Sequence, residues 1–249
     1  MNEFNPFSLQ GKTVLITGAS SGIGKATAIA CSKMGATIVA TGRNMQKLEA
    51  TLAELEGESN VIISADLTKP EDIEKISSVV PQLDGIVHCA GVGYRLPAKM
   101  ITERDIEAVM NTNFSGTVLL QSGLLKKKKV NKDASVVFVA SKAADFPSPG
   151  NALYSASKGA LISYARCLSI ELASRGIRVN CICPAMVWTD LIMQNEVTEE
   201  QLKESEKAYP LKRYGKPEDI AYLSIYLLSD ASSWMTNSCI DITGGANKL

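Results

Sequence analysis

Along the 249 residues, short β-branched runs alternate with longer stretches whose apolar positions recur at helical spacing. Thr13-Val14-Leu15-Ile16 reads as a first strand, and Gly22 to Met34 as the helix after it. Thr37 to Ala40 and Met45 to Glu56 repeat the pair. Val61-Ile62-Ile63 gives a third strand, followed by a helix opening near Pro70-Glu71-Asp72. Gly85 to Cys89, Ser135 to Ala140, Ile177 to Ile182 and Cys239 to Ile242 supply the remaining strands. Strands that stay apolar throughout are strands covered on both faces, which is the pattern of a parallel sheet. Right-handed crossovers then build an α/β fold around a doubly wound sheet of about seven strands. No Pro/Gly/Ser-rich linker or internal repeat divides the chain, so residues 1–249 read as a single domain. Met186 to Tyr209 breaks the rhythm. It follows the sixth strand's carboxyl end, where such sheets bind ligands, and reads as a substrate loop or lid.

Composition narrows the partners. Lys plus Arg and Asp plus Glu number 26 each, and a net charge of zero offers no electrostatic case for nucleic acid or an anionic membrane. No apolar run approaches the roughly 20 residues of a membrane span, and the first residues have neither the basic start nor the apolar core of a signal peptide. A cytoplasmic location and a small-molecule partner are the expectation. The six cysteines are scattered and read as reduced thiols, and with one histidine in the chain a zinc site is not expected. His88 lies in an apolar run and reads as a satisfied core histidine.

Between the first strand and its helix stands Thr17-Gly18-Ala19-Ser20-Ser21-Gly22-Ile23-Gly24. Glycines allow a tight turn and a close backbone approach, and the helix start adds unpaired N–H groups and its positive dipole end. A diphosphate suits such a loop. A P-loop is excluded, because Ala19 stands where it needs glycine and Ala26 where it needs Ser or Thr. The second strand runs into Thr41-Gly42-Arg43, with no acid at its end to bind a ribose 2′-hydroxyl. A guanidinium there suits a 2′-phosphate, so NADP(H) is favoured over NAD(H).

Tyr154 and Lys158 are four residues apart, on one helical face, and Ser141 ends the fifth strand. A cation near a phenol is expected to lower its pKa toward the working range of an acid or base. Ser155 to Lys158 also matches a Ser-x-x-Lys nucleophile motif, but its Ser-Asp-Asn and Lys-Thr-Gly companions are missing.

Taken together, these features resemble the short-chain dehydrogenase/reductase family, specifically its 3-oxoacyl-[acyl-carrier-protein] reductase-like members, from Lys12 to Gly245. The resemblance implies a Rossmann-type fold with Gly18, Ser20, Ser21, Gly22, Ile23 and Gly24 in the cofactor loop. Arg43 belongs to the same cofactor set, and Asp66-Leu67 is similar to the pair at the adenine. Cys89-Ala90-Gly91 and Pro184, Val187 and Thr189 are similar to segments around the nicotinamide. Asn113, Ser141, Tyr154 and Lys158 fall on the family's catalytic positions. Tyr154 is implied as general acid/base, Ser141 as the group steadying the substrate oxygen, Lys158 as the ribose and phenol partner, and Asn113 as anchor of a relay water. Departures are His88-Cys89 in place of a frequent Asn-Asn, Ala185 in place of a usual glycine, and Ser21 where some NADP members carry a basic residue. Cys89 cannot make the missing amide hydrogen bonds.

The implied reaction interconverts a carbonyl and a secondary alcohol, with no metal, on a small substrate that is free or carrier-bound. Lys126 to Lys129 with Lys132 form a basic run, read as a solvated helix end. In carrier-protein reductases, basic residues on this helix dock an acidic carrier, and Arg175 adjoins the patch. The helices around Thr102 to Lys127 and Ala152 to Ser174 correspond to those that pair subunits in relatives, which implies a homotetramer or homodimer. The alternatives are a non-catalytic NADP-binding sensor on the same fold and a reductase or dehydrogenase of sugars, steroids or other ketones.

Overall fold

A computed structural model describes residues 4–193 and 198–246; residues 1–3, 194–197 and 247–249, the last two groups touching the expected substrate loop and the chain's end, lie outside the description. The strands are β1 (Thr13–Thr17), β2 (Thr37–Gly42), β3 (Val61–Ser64), β4 (Leu83–His88), β5 (Val130–Val139), β6 (Arg178–Pro184) and β7 (Cys239–Ile242). All pair in parallel in one sheet, in the order β3-β2-β1-β4-β5-β6-β7. The helices are α1 (Gly22–Lys33), α2 (Met45–Leu52), α3 (Pro70–Val79), α4 (Glu103–Met110), α5 (Gly116–Lys126), α6 (Ala152–Leu172), α7 (Asp190–Met193), α8 (Glu199–Glu206) and α9 (Pro217–Leu228).

Alternation along the strands divides the core. Val14 and Ile16 pack with α1 and α9 on one face, whereas Leu15 packs with α5 and α6 on the other. Both faces are buried under helices, which explains the unbroken apolar runs. The chain order reverses between β1 and β4, so the helices that follow these strands leave on opposite faces. A crevice opens at their carboxyl ends, the place where such sheets bind ligands.

Two elements differ from the expectation. β5 starts at Val130, five residues before Ser135, because a register shift opposite Leu83 and Gly85 lets the strand begin early. Lys132 therefore lies in a strand and not at the end of a helix. The connection after β6 carries structure of its own. It holds α7 and α8, and Val187 bridges Gly215. Glu206 of α8 accepts from Trp188 Nε1 at 2.6 Å and from the Tyr214 backbone at 2.8 Å, tying this connection to the chain leading into α9.

His88 is a core residue, but only one ring nitrogen is paired. Its ring stacks on Phe138 with centroids 4.8 Å apart, and Nε2 lies 3.0 Å from Gln121 Oε1. His88 Nδ1 and Gln121 Nε2 have no partner among the described residues. Burial pushes the imidazole down to about 4, so it is neutral at pH 7. A base depressed from 6.5 to about 4 stabilises the fold above its unfolded value and loses that contribution as pH falls toward 4. This single group is expected to cost about 2.5 kcal/mol between pH 7.5 and pH 4.5. Melting His88→Asn beside the unmodified protein at both pH values checks it: the variant should lose less stability on acidification. An equal loss in both would remove His88 from the account.

Candidate active site

The loop after β1 is shaped by two left-handed glycines, Gly18 at φ 67° and Gly22 at φ 52°. A side chain at either position would be strained. Ser21 caps α1 in extended conformation without a side-chain hydrogen bond, and the first turn holds no acid. The helix thus keeps its leading N–H groups and positive end for an external anion. These amides face a cavity of about 360 Å³ at the crevice. Gly18, Ser20 to Gly24, Arg43, Asp66-Leu67, Cys89 to Gly91 and Thr189 all line it. The fit to a dinucleotide diphosphate is therefore good: bare amides, a Cβ-free approach, and a space open along the strand ends.

At the far end of this cavity, Arg43 stands beside Asp66. Burial alone would raise the Asp66 carboxyl, but hydrogen bonds from the Thr68 backbone at 3.0 Å and its hydroxyl at 2.8 Å outweigh it. With the Arg43 charge added, the group is held below the usual carboxylate range. Lys47 also lines the cavity and lies 3.4 Å from Asp190, an exposed pair worth little by itself.

A second cavity of about 170 Å³ adjoins the first, sharing Cys89, Gly91 and Thr189. Ser141, Tyr154, Lys158, Pro184 and Val187 line it. Ser141, just past β5, accepts from the Ala143 backbone at 3.1 Å, and its hydroxyl is hydrogen-bonded to the Tyr154 phenol. Lys158 is 4% exposed and donates to the Val139 carbonyl at 2.9 Å; burial draws it down to about 8. Asn113 is fully buried in a π turn, Asn111–Ser115, between α4 and α5. Its side chain is saturated: Oδ1 accepts from the Val92 backbone at 2.7 Å, and Nδ2 donates to Val92 O and Ser157 Oγ, each at 3.0 Å. Gly91 leaves room here, since a Cβ would stand 3.2 Å from Asn113 Oδ1 and 3.4 Å from Lys158 Nζ.

Comparison with known proteins agrees with this geometry. The family model described as Enoyl-(Acyl carrier protein) reductase matches residues 18–247. The 3-oxoacyl-[acyl-carrier-protein] reductase FabG of Rickettsia felis is 34% identical over 237 residues, covering 95% of this chain and 97% of that one. A short-chain dehydrogenase/reductase structure from Brucella melitensis superposes with TM-score 0.90 at 32% identity, covering 97% of this chain and 98% of its own. The chain belongs to the short-chain dehydrogenase/reductase family. A further structure, from Beutenbergia cavernae, superposes with TM-score 0.87 at 28% identity over 97% of this chain and 98% of that one, and holds NADP at low occupancy. As a member of this family the protein is an oxidoreductase that uses a nicotinamide cofactor.

Family spacing misses some of what supports the site. Thr17 Oγ1 accepts from the Cys89 and Ala90 backbones, each at 3.1 Å, and so holds the β4 end where the family often has asparagine. Ser157, Val92 and Thr17 are not legible as partners, because nothing in their local sequence marks a contact with a residue far along the chain. Ala185 keeps the segment in place by donating to the Ile242 carbonyl at 3.2 Å, and it packs against the apolar cluster of Ile192, Tyr209 and Tyr214. One electrostatic expectation is corrected. The Tyr154 phenol is raised, chiefly by burial, with the Ser141 hydroxyl offsetting part of the rise. The Lys158 ammonium is turned to Val139 O, 5.9 Å from the Tyr154 ring centre, and is itself weakened by burial. It does not make the phenol acidic in the protein alone.

Proposed function

We propose that the chain is an NADP(H)-dependent enzyme interconverting a carbonyl and a secondary alcohol, with Tyr154 as general acid/base and 3-oxoacyl thioesters as its substrate class. The observation that carries this reading is the meeting of Ser141, Tyr154 and Lys158 in one small cavity that opens onto the glycine-loop cavity. A nicotinamide cofactor held by the glycine loop would supply or accept the hydride. In the reducing direction the Tyr154 hydroxyl gives its proton to the carbonyl oxygen. The Ser141 hydroxyl, which points at the Tyr154 phenol in the protein alone, turns its hydrogen to the same oxygen and stabilises its developing charge. Lys158 spends one N–H on Val139 O, leaving two for the ribose hydroxyls and the proton path. With its amide saturated, Asn113 holds the relay water through its backbone carbonyl at the π turn, a type of distortion frequent at functional sites.

The cofactor set proposed is Gly18, Ser20 to Gly24, Arg43, Asp66, Leu67, Cys89 to Gly91, Tyr154, Lys158, Pro184, Val187 and Thr189. NADP is supported by Arg43 at the cavity's end, by the absence of an acid at the end of β2, and by the NADP held in the Beutenbergia cavernae structure. Arg43→Asp is expected to raise the KM for NADPH by about 30-fold or more and to lower that for NADH, since it swaps a phosphate partner for a ribose partner. Steady-state kinetics with both cofactors checks it, and an unchanged preference removes Arg43 from the phosphate site.

Reduction of an acyl-carrier-bound substrate is supported by the name of the Rickettsia felis relative. Of the expected basic patch, Lys127 pairs with Glu74 at 2.6 Å, Lys129 donates to Val80 O at 2.7 Å and Arg175 donates to Val130 O at 2.5 Å. Lys126, Lys128 and Lys132, all exposed, remain for a carrier. NADPH consumption with a 3-oxoacyl thioester tests the whole reading. Lys126→Glu with Lys128→Glu should raise KM for the carrier-bound form about tenfold and leave the free thioester unchanged. Equal effects on both dispose of docking. Pairing of copies through α4, α5 and α6 is supported by the exposed apolar side chains Ile106, Leu119 and Ile170 on these helices.

A further inference from the structure

Three of the six cysteines gather on one face of the sheet's edge, outside both cavities. Cys181 and Cys183 lie two apart on β6, and Cys239 on β7 is the register partner of Cys181. Register partners on parallel strands point to the same face with backbones about 4.8 Å apart. That spacing lies inside the Cα range of about 4.4–6.8 Å that a disulfide spans. Cys181 and Cys183 are each 1% exposed, whereas Cys239 is partly open to solvent. It sits on a strand of four residues that has one sheet neighbour among the described residues, and so can shift by the small amount a bond requires.

The surroundings favour charge on Cys239. The Cys181 thiol beside it and then the Arg166 guanidinium of α6 pull its thiol below the ordinary range, while Cys181 is pushed up. The other charged or titratable groups around the pair are Cys183 of β6, Asp241 of β7, and Asp145 and Lys142 of the turn after β5. Lys142 engages Asp241 at 2.5 Å and Asp145 at 3.8 Å, which leaves Arg166 as the cation for the thiolate. An electropositive, partly exposed setting is where cysteines react.

We propose that Cys239 is a peroxide-reactive thiol and that Cys181 is its disulfide partner. The Cys239 thiolate attacks one oxygen of hydrogen peroxide; the S–O bond forms, the O–O bond breaks, and hydroxide leaves and takes up a proton as water. Cys239 is then a sulfenic acid, its sulfur oxidised by two electrons and the peroxide reduced. Cys181 gives up its proton and attacks the Cys239 sulfur. The S–S bond forms, the S–O bond breaks, and the hydroxyl leaves with that proton as a second water.

The test uses the full chain, reduced and then treated with one equivalent of hydrogen peroxide. The expected products are a peptide linking Cys181 to Cys239 and an intact mass lower by about two units. In Cys181→Ser, dimedone should trap the sulfenic acid on Cys239 and not on Cys167, which is exposed on α6. Between pH 6.5 and 8.0 the reaction rate should change less than about fourfold, against about twentyfold for an ordinary thiol. Cys239→Ser should slow the loss of thiols to that of Cys167 while NADPH turnover and melting stay close to the unmodified protein. A wild-type protein that carries dimedone on Cys239 without forming the link overturns the role of Cys181. Adducts on Cys167 alone, or a Cys239→Ser variant oxidised at the wild-type rate, overturn the role of Cys239. The linked-peptide map of the unmodified protein decides the matter if a variant fails to fold.

Discussion

Tyr154→Phe is expected to lower kcat by about 10³-fold while leaving cofactor affinity within about twofold. The change deletes one oxygen and keeps the ring, so the α6 helix, Lys158 and the glycine loop are untouched. Only the group that exchanges a proton with the substrate oxygen is lost. Because burial raises the phenol, it stays protonated through neutral pH. Reduction, which consumes that proton, should therefore hold its rate from pH 6 to 8 and fall only as the phenol ionises. Oxidation needs the phenolate and should rise with pH over the alkaline range. A nicotinamide's positive charge and the Lys158 ammonium both favour the phenolate, so the apparent value in the ternary complex should lie below that of the protein alone. Single-turnover rates at several pH values, in both directions, check the assignment. A Phe variant with wild-type turnover would end the role given to Tyr154.

The sheet was legible because its strands are buried on both faces, so pattern and tertiary context agree. β7 starts at Cys239 and ends at Ile242, as the apolar run implies, and β1 begins at Thr13. The early start of β5 was not, since Asn131, Lys132 and Asp133 are polar and lie in the irregularity between the Leu83–Val130 and Gly85–Ser135 pairs, which periodicity does not register. The glycine loop was legible for a stereochemical reason: Gly18 and Gly22 occupy left-handed conformations that other residues rarely adopt.

Within the site, spacing identified which residues meet, but not their electrostatics. Four residues on a helix place Tyr154 and Lys158 on one face, yet the ammonium's direction depends on the Val139 carbonyl, which lies on a strand 19 residues earlier. Likewise Thr17, the register partner of His88, accepts from the Cys89 and Ala90 backbones and supports the end of β4 where the sequence alone left hydrogen bonds missing. Local sequence records helical phase and turn stereochemistry. It does not record which carbonyl or hydroxyl a neighbouring strand presents, and on that the pKa of a buried group depends.

Gly24→Ala is expected to weaken NADPH binding about 100-fold and to lower the melting temperature by several degrees, on the order of 1–3 kcal/mol of overpacking. Gly24 has an ordinary φ, so the penalty is not conformational. Its would-be Cβ points into the Gly18 carbonyl and carbonyl carbon, well inside van der Waals contact. Those are backbone atoms of the loop itself and cannot swing aside as a side chain can. Accommodating the methyl must lift the start of α1 away from the β1 turn, which spreads the amides that would hold the diphosphate. Gly159→Ala provides the contrast, for nothing lies within 4 Å of its added Cβ, and an alanine in the α6 interior should stabilise by up to about 1 kcal/mol. Calorimetric titration with NADPH and thermal melts of both variants separate the effects. Near-wild-type affinity in Gly24→Ala would mean that the close contact of loop and helix is not what shapes the diphosphate site.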